Sequence, residues 1–186
     1  ISRTDLPHRD DMIRALDLAA EMSDWGTPLP LGTARAIALE EKGVEAKGTA
    51  TISAMVHTVS ISKEGQVRLE RVDVALDQGF SLINPLSVKK QIEGQIIWFY
   101  NDAMHQANTV VEGRIVENNF DQFSISRIKE DPPEINIQFF KTEHWMRGMG
   151  HDRATSVQSG ISDAIFQITG KRFRDLPFSQ HDLSWG

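Results

Sequence analysis

The chain has 186 residues, of which 40% are hydrophobic, and its 20 basic and 26 acidic residues give a formal charge of -6. This length suits a single domain with a sizeable core. The acidic balance, with no Lys/Arg cluster, argues against nucleic-acid binding. The absence of cysteine excludes disulfides, thiolate zinc sites and cysteine-ligated iron–sulfur clusters within this chain. The longest apolar runs are too short for a transmembrane segment.

The first predicted element is a helix over residues 10–23, whose apolar residues recur at helical spacing. A Gly/Pro-rich stretch follows at residues 25–34 and is typical of a loop. We therefore expect an N-terminal helical segment, residues 1–24, followed by a domain that comprises residues 25–186.

Two strands are predicted next, over residues 50–62 and 66–77, because both stretches are rich in β-branched residues and partly alternate. Residues 63–65, with the sequence KEG, form the expected hairpin turn. Along the second strand the apolar positions change register, which indicates a β-bulge.

Asn84 and Pro85 are typical of a helix start, and the pattern that follows predicts a helix over residues 86–104. Gly94 lies in the middle of this helix, where glycine is unfavourable. We expect close packing at this position.

A second group of strands is expected within residues 108–120, 123–128 and 134–140. The last predicted element is a helix over residues 154–170, capped by Thr155 or Ser156 and ended by Gly170. Helices separated by groups of strands predict an α+β fold with mixed or antiparallel sheets packed against helices.

The least ordinary stretch lies just before the last helix, at residues 145–160. Gly148 and Gly150 allow a ligand to approach the backbone closely, and the following helix N-terminus favours negative charge. His151 titrates near neutral pH and has Asp152 and Arg153 beside it. A capping turn without chemistry is the alternative interpretation.

Other chemical patterns in the sequence are weak. Glu143 and His144, together with His151 and Asp152, have side chains that suit zinc or a hard metal. They do not match the helical HExxH spacing, so we predict no protein-ligated metal. His57 lies among apolar strand residues and is expected to be a core histidine. No nucleophile elbow or phosphate-binding loop is present.

Five collinear stretches between residues 25 and 177 resemble the C-terminal part of the molybdopterin-binding subunit of molybdenum hydroxylases. The similarity is to the isoquinoline 1-oxidoreductase β-subunit, aldehyde dehydrogenase and xanthine dehydrogenase-like proteins. The stretches are GTARAIAL, VRLERVDVALDQG, NPLSVKKQIEGQI, GRIVENNFDQF and SDAIFQITGKRFRDLP.

The resemblance implies the α+β fold of that C-terminal domain and an oxidoreductase that oxidises or hydroxylates an aldehyde or N-heterocycle. The implied cofactor is molybdenum–molybdopterin, in its cytosine dinucleotide form, with the metal held by the pterin dithiolene. This chain alone would not bind it, because most pterin contacts of the family lie upstream. The implied partners are the remainder of the subunit, a [2Fe–2S] subunit and a haem or flavin subunit. The expected compartment is the periplasm, with the cytoplasm as the alternative.

In the family, a glutamate in a G-x-G-E turn is the general base, and His151 occupies its place here. Asp152 is the alternative base. The resemblance and the loop chemistry together predict a set of cofactor-binding residues: Gly148, Met149, Gly150, Arg153, Thr155 and Ser156. Gln95 replaces a family glycine. Because the glutamate is lost, a diverged, non-catalytic assembly subunit is the alternative function.

Overall fold

A computed structural model of the chain describes residues 6–44, 49–127, 134–146, 148–150 and 153–186. Its helices are α1 (Arg9–Met22), α2 (Pro85–Met104), α3 (Ser156–Thr169) and a short 3₁₀ turn at Phe178–Gln180. Its strands are β1 (Thr33–Val44), β2 (Thr49–Ile61), β3 (Val67–Asp77), β4 (Val110–Val111), β5 (Arg114–Ile115), β6 (Glu134–Phe140) and β7 (Trp145–Met146).

The main sheet has the strand order β1-β2-β3-β6, and β7 pairs with β2. The β1–β2 and β2–β3 pairs are antiparallel, whereas β3–β6 and β2–β7 are parallel. Strands β4 and β5 form a separate two-stranded ladder. The predicted α+β class with a mixed sheet is confirmed.

The predicted bulge in the β2–β3 hairpin is confirmed. Thr58 pairs with Arg71 whereas Val59 pairs with Leu69, so Glu70 is the additional residue. This insertion moves the apolar side chains of β3 back into register with the buried faces of the sheet.

Both faces of the sheet are covered by helices, because successive side chains of a strand point to opposite faces. One core cluster includes α1, and its buried members are Met12, Ala15, Ala19, Ile52, Ala54, Val56, Ala75 and Phe140. The other lies against α2 and α3, and its buried members include Met55, Val59, Val72, Val74, Leu76, Ile92, Ile96, Ile161 and Ile165. Helix α1 therefore packs directly on the sheet, and a domain boundary after residue 24 stays a prediction.

Three expectations for individual segments are corrected. Strand β1, which pairs with β2 along its whole length, was not expected from its Ala-, Glu- and Lys-containing sequence. Residues 108–127 contain only the short strands β4 and β5 among the described residues. A Cβ on Gly94 would meet no atom within 4 Å, so close packing does not explain this glycine.

His57 is a core residue, as expected, and is fully buried on β2. A Cβ on Gly160 of α3 would lie 2.2 Å from its Nδ1 atom. Glycine at this position therefore lets α3 pack directly on the imidazole.

Candidate functional site

The predicted loop connects β7 to α3. Gly148 and Gly150 are exposed and Met149 is half-buried, whereas Arg153 is buried. The two candidate bases, His151 and Asp152, lie outside the described residues. The described part of the loop thus consists of an exposed glycine turn followed by a buried arginine.

The side chain of Gln95 on α2 holds both sides of this loop. Its Nε2 donates to the carbonyl oxygen of Met149 at 3.3 Å, and its Oε1 accepts from the backbone N–H of Arg153 at 2.8 Å. Gln95 is buried, so these hydrogen bonds are shielded from competing water. The family glycine that Gln95 replaces has no side chain to make such contacts. The sequence shows this replacement, but the hydrogen bonds to the loop are visible only in the structure.

Arg153 fixes the start of the loop from the inside. Its Nε and one terminal nitrogen donate to the carbonyl oxygen of Gly148 at 3.2 and 3.1 Å. A planar guanidinium that donates twice to one carbonyl restrains the orientation of that peptide. The predicted cofactor residue Arg153 therefore contacts the loop backbone in this structure.

The N-terminus of α3 is capped by Glu40 of β1. Oε1 of Glu40 accepts from the hydroxyl of Thr155 and from the backbone N–H of Ser156. The carboxylate satisfies a free N–H of the first turn and opposes the positive end of the helix dipole. The expected start of the helix is confirmed, since Thr155 is the N-cap residue. Its side chain does not cap the helix, because Glu40 does so instead.

This capping arrangement changes the electrostatics of the predicted site. Because Glu40 already occupies the α3 N-terminus, the loop backbone at Gly148 and Gly150 is the more accessible surface for a ligand. Binding of a cofactor by Thr155 and Ser156 stays a prediction. Two adjacent glutamates, Glu40 and Glu41, lie in this alanine-rich strand, and no local sequence pattern marks Glu40 as the one that caps α3.

The two exposed glycines are not required by the packing of the described residues. A Cβ on Gly148 or on Gly150 would meet no atom within 4 Å, and neither has a positive φ. Glycine in such a place commonly serves close approach of a ligand or another chain. The loop is thus anchored from within and open on its outer side.

Among the described histidines, the one with a strongly shifted pKa is His57, which lies outside the loop. Burial lowers the pKa of His57 to about 4, and a backbone hydrogen bond with Ala36 opposes this shift. His57 is neutral at physiological pH and lies under α3, so it supports the helix that follows the loop.

The sequence of the chain was compared with those of known proteins. No protein-family model matches the chain. It is 30% identical over 168 residues to a membrane-bound aldehyde dehydrogenase [pyrroloquinoline-quinone] of Gluconacetobacter polyoxogenes, covering 89% of this chain and 21% of that protein. It is 28% identical over 159 residues to isoquinoline 1-oxidoreductase subunit beta of Brevundimonas diminuta, covering 85% of this chain and 20% of that protein. The predicted resemblance to molybdenum hydroxylases is confirmed.

Solved structures share the fold of this chain. An aldehyde oxidoreductase from Desulfovibrio desulfuricans ATCC 27774 superimposes with a TM-score of 0.60 at 21% identity, covering 69% of this chain and 14% of that one. A Cu,Mo-CO dehydrogenase superimposes with a TM-score of 0.56 at 20% identity, covering 63% of this chain and 15% of that one. The chain spans about a fifth of the length of the two curated relatives.

Within the described ranges, no helix is long and apolar enough to cross a bilayer.

Proposed function

We propose that this chain forms one wall of a molybdopterin active site within a larger oxidoreductase that oxidises or hydroxylates an aldehyde or an N-heterocycle. One observation carries the proposal: the loop at residues 148–150 is exposed, while Gln95 and Arg153 anchor its backbone from the protein interior. An anchored, open loop suits a binding surface, because little conformational entropy is lost when a ligand docks on it.

The residues present fit a large planar cofactor that approaches from outside. Gly148 and Gly150 leave the backbone uncovered, so a pterin edge can come within hydrogen-bond distance of peptide groups. The bound molybdopterin would supply the metal centre that carries out the oxidation. The chain itself would contribute the loop that positions the cofactor and excludes water from one side.

His151 is proposed to accept a proton during turnover, because it stands in the place of the family glutamate. Histidine commonly serves as a general base, because its imidazole is able to take up a proton in its neutral form. Asp152 is the alternative, since a shift of the loop by one residue would exchange the two side chains.

The remaining parts of the active complex are also proposals. Because the chain spans about a fifth of its curated relatives, we infer that the rest of the cofactor site comes from further sequence or another chain. The cytosine dinucleotide form of molybdopterin, a [2Fe–2S] subunit and a haem or flavin subunit complete the proposed assembly. The proposed compartment is the periplasm.

Substitution of His151 tests the catalytic role in the purified complex. We expect His151→Ala to lower kcat by about 100- to 10,000-fold, as for loss of a general base, and His151→Glu to retain most of the activity. Molybdenum and pterin contents should be unchanged. His181→Ala, a histidine of the C-terminal segment, is the control. Unchanged turnover in both His151 variants would contradict the catalytic role.

Substitution of Gly150 tests whether the cofactor approaches the loop. Gly150→Ala introduces a Cβ that meets nothing within 4 Å, so the unfolding temperature should not change. A docked cofactor would meet the new methyl group, and molybdenum content or turnover should fall. Gly186→Ala, at another glycine with open surroundings, is the matched control. A complex with this chain but no molybdenum would favour the non-catalytic assembly subunit.

A further inference from the structure

We propose that His8, Asp11, Asp77 and His144 form a structural site for a divalent transition-metal ion of the zinc type, separate from the proposed molybdopterin surface. The ligand atoms of His8, Asp11 and His144 all lie within 4.8 Å of one another. Oδ2 of Asp77 lies 3.3 Å from Nε2 of His144. This cluster differs from the set of Glu143, His144, His151 and Asp152 that the sequence offers, for which no protein-ligated metal is predicted.

Three separate parts of the fold meet at this cluster. His8 and Asp11 lie at the N-terminal end of α1, Asp77 ends β3, and His144 follows β6. The last two segments are held together by backbone hydrogen bonds from Gln78 to Phe140 and from Phe80 to His144, each of 2.8 Å. A bound ion would therefore join the start of α1 to an already rigid edge of the sheet.

The pair formed by Asp77 and His144 is the strongest indication of a cation site. The side chain of Asp77 is fully buried, and that of His144 is 11% exposed. Although they are 3.3 Å apart, Asp77 Oδ2 and His144 Nε2 have no hydrogen-bond partner among the described residues. A buried carboxylate oxygen without a partner is costly, and a cation between the two atoms would remove that cost.

Thr142 orients both side chains toward the same point. Its hydroxyl donates to Oδ1 of Asp77 at 2.7 Å, so it can only accept from Nδ1 of His144, 3.5 Å away. A proton on Nδ1 leaves the lone pair of Nε2 directed toward the carboxylates. A metal-bound histidine is commonly held in this way by its second ring nitrogen.

The donor set and spacing suit zinc. Two imidazoles and two carboxylates give four donors of the kinds that zinc binds in a closed structural site. The 3.3 Å between Asp77 Oδ2 and His144 Nε2 equals the separation of roughly 3.3 Å between neighbouring donors of a tetrahedral zinc ion. Asp11 Oδ2 lies 3.8 Å from the same nitrogen, so a small rotamer adjustment brings it into range.

The test is a titration of the purified complex with Zn²⁺ alone, after treatment with a chelator and in competition with a chromophoric chelator. We expect one zinc ion per copy of this chain, with X-ray absorption showing nitrogen and oxygen donors at about 2.0 Å. His8→Gln and Asp11→Asn, at the partly exposed end of α1, should each weaken binding by at least about 100-fold, and Thr142→Val by roughly 10- to 100-fold.

The control is His181→Gln. His181 lies 3.3 Å from Asp175, which repeats the histidine–carboxylate distance without belonging to the cluster, so zinc affinity should stay unchanged. Circular dichroism in chelator should show the same fold for all variants. Absence of stoichiometric zinc, or equal affinity in wild type and the His8 and Asp11 variants, would overturn the proposal. The His144–Asp77 contact would then be an ion pair.

Discussion

Gly160 and His57 show how two residues determine the position of a helix. The imidazole is buried on β2, and α3 approaches it so closely that a Cβ on Gly160 would lie 2.2 Å from Nδ1 and 2.6 Å from Cγ. Neither residue has a chemical role in the proposed activity. Together they set the distance between α3 and the sheet, and α3 begins directly after the candidate loop.

Substitution of Gly160 and of Gly94 by alanine should change the stability of the fold in opposite directions. Gly160→Ala should lower the free energy of unfolding by about 2–3 kcal/mol, because the methyl group overlaps the ring of His57. Gly94→Ala, in the interior of α2 with no atom within 4 Å, should raise it by about 0.5–1 kcal/mol. Urea unfolding of both variants measures the two values. A stabilising Gly160→Ala would show that α3 lies farther from the sheet.

The burial of His57 predicts a pH dependence of stability. Its pKa falls from 6.5 to about 4 on folding, so the unfolded chain takes up a proton that the folded chain excludes. The free energy of unfolding is therefore not reduced by this histidine above pH 6.5. As the pH falls from 6.5 to 4, it decreases by about 1.4 kcal/mol per pH unit, and by about 3 kcal/mol in all.

Comparison with a variant isolates this contribution from that of the carboxylates. The free energy of unfolding of wild type and His57→Leu should be measured with urea at pH values from 7.5 to 4. Between pH 6.5 and 4, this free energy should change less with pH in the variant than in wild type. Parallel curves would contradict a neutral, buried His57.

At the scale of elements, the loop before α3 is organised by contacts from α2 and β1. Gln95 reaches it from α2 through two hydrogen bonds, and Glu40 reaches the first turn of α3 from β1. These contacts join residues 54 to 116 positions apart in sequence. The glycine turn is therefore supported by the whole domain.

Removal of the Gln95 amide should loosen the loop without unfolding the domain. Gln95→Leu leaves the buried N–H of Arg153 without its acceptor, which costs about 1–3 kcal/mol. Hydrogen exchange at the amides of residues 148–153 should accelerate by about 10- to 100-fold. Gln167→Leu, which removes an exposed hydrogen bond to Arg35, is the matched control. Equal protection in the two variants would refute the anchoring role of Gln95.

Local patterns predicted α1, β2, β3, α2 and α3 because each has the apolar period of its element or a strong start signal. Strand β1 was missed because its alanines, glutamates and lysine favour helix, whereas its conformation depends on pairing with β2 over residues 33–44. Tertiary pairing overrides such propensities. Long-range contacts such as Glu40 with Ser156 have no local signature at all.

At the scale of the molecule, the sheet separates the two surfaces for which we propose functions. Helices α2 and α3 cover one face and carry the loop that we assign to the cofactor. Helix α1 covers the other face and brings His8 and Asp11 to the proposed metal cluster. The first site rests on the resemblance seen in the sequence and stays a prediction. The second could not be predicted, because its residues lie on three segments that only the fold brings together.

The domain also leaves its proposed active site open. The described loop presents backbone on its outer side, and the chain spans about a fifth of its curated relatives. Both facts agree with a site that is completed by additional polypeptide. We therefore expect the cofactor site to form only in an assembly.

An electron cryo-microscopy structure of the assembled complex is the decisive measurement. We expect molybdopterin density in contact with the loop from Gly148 to Ser156, with the side chain of His151 or Asp152 directed toward the molybdenum. A complex in which this loop faces solvent or another subunit, with no molybdenum or pterin near this chain, would contradict it.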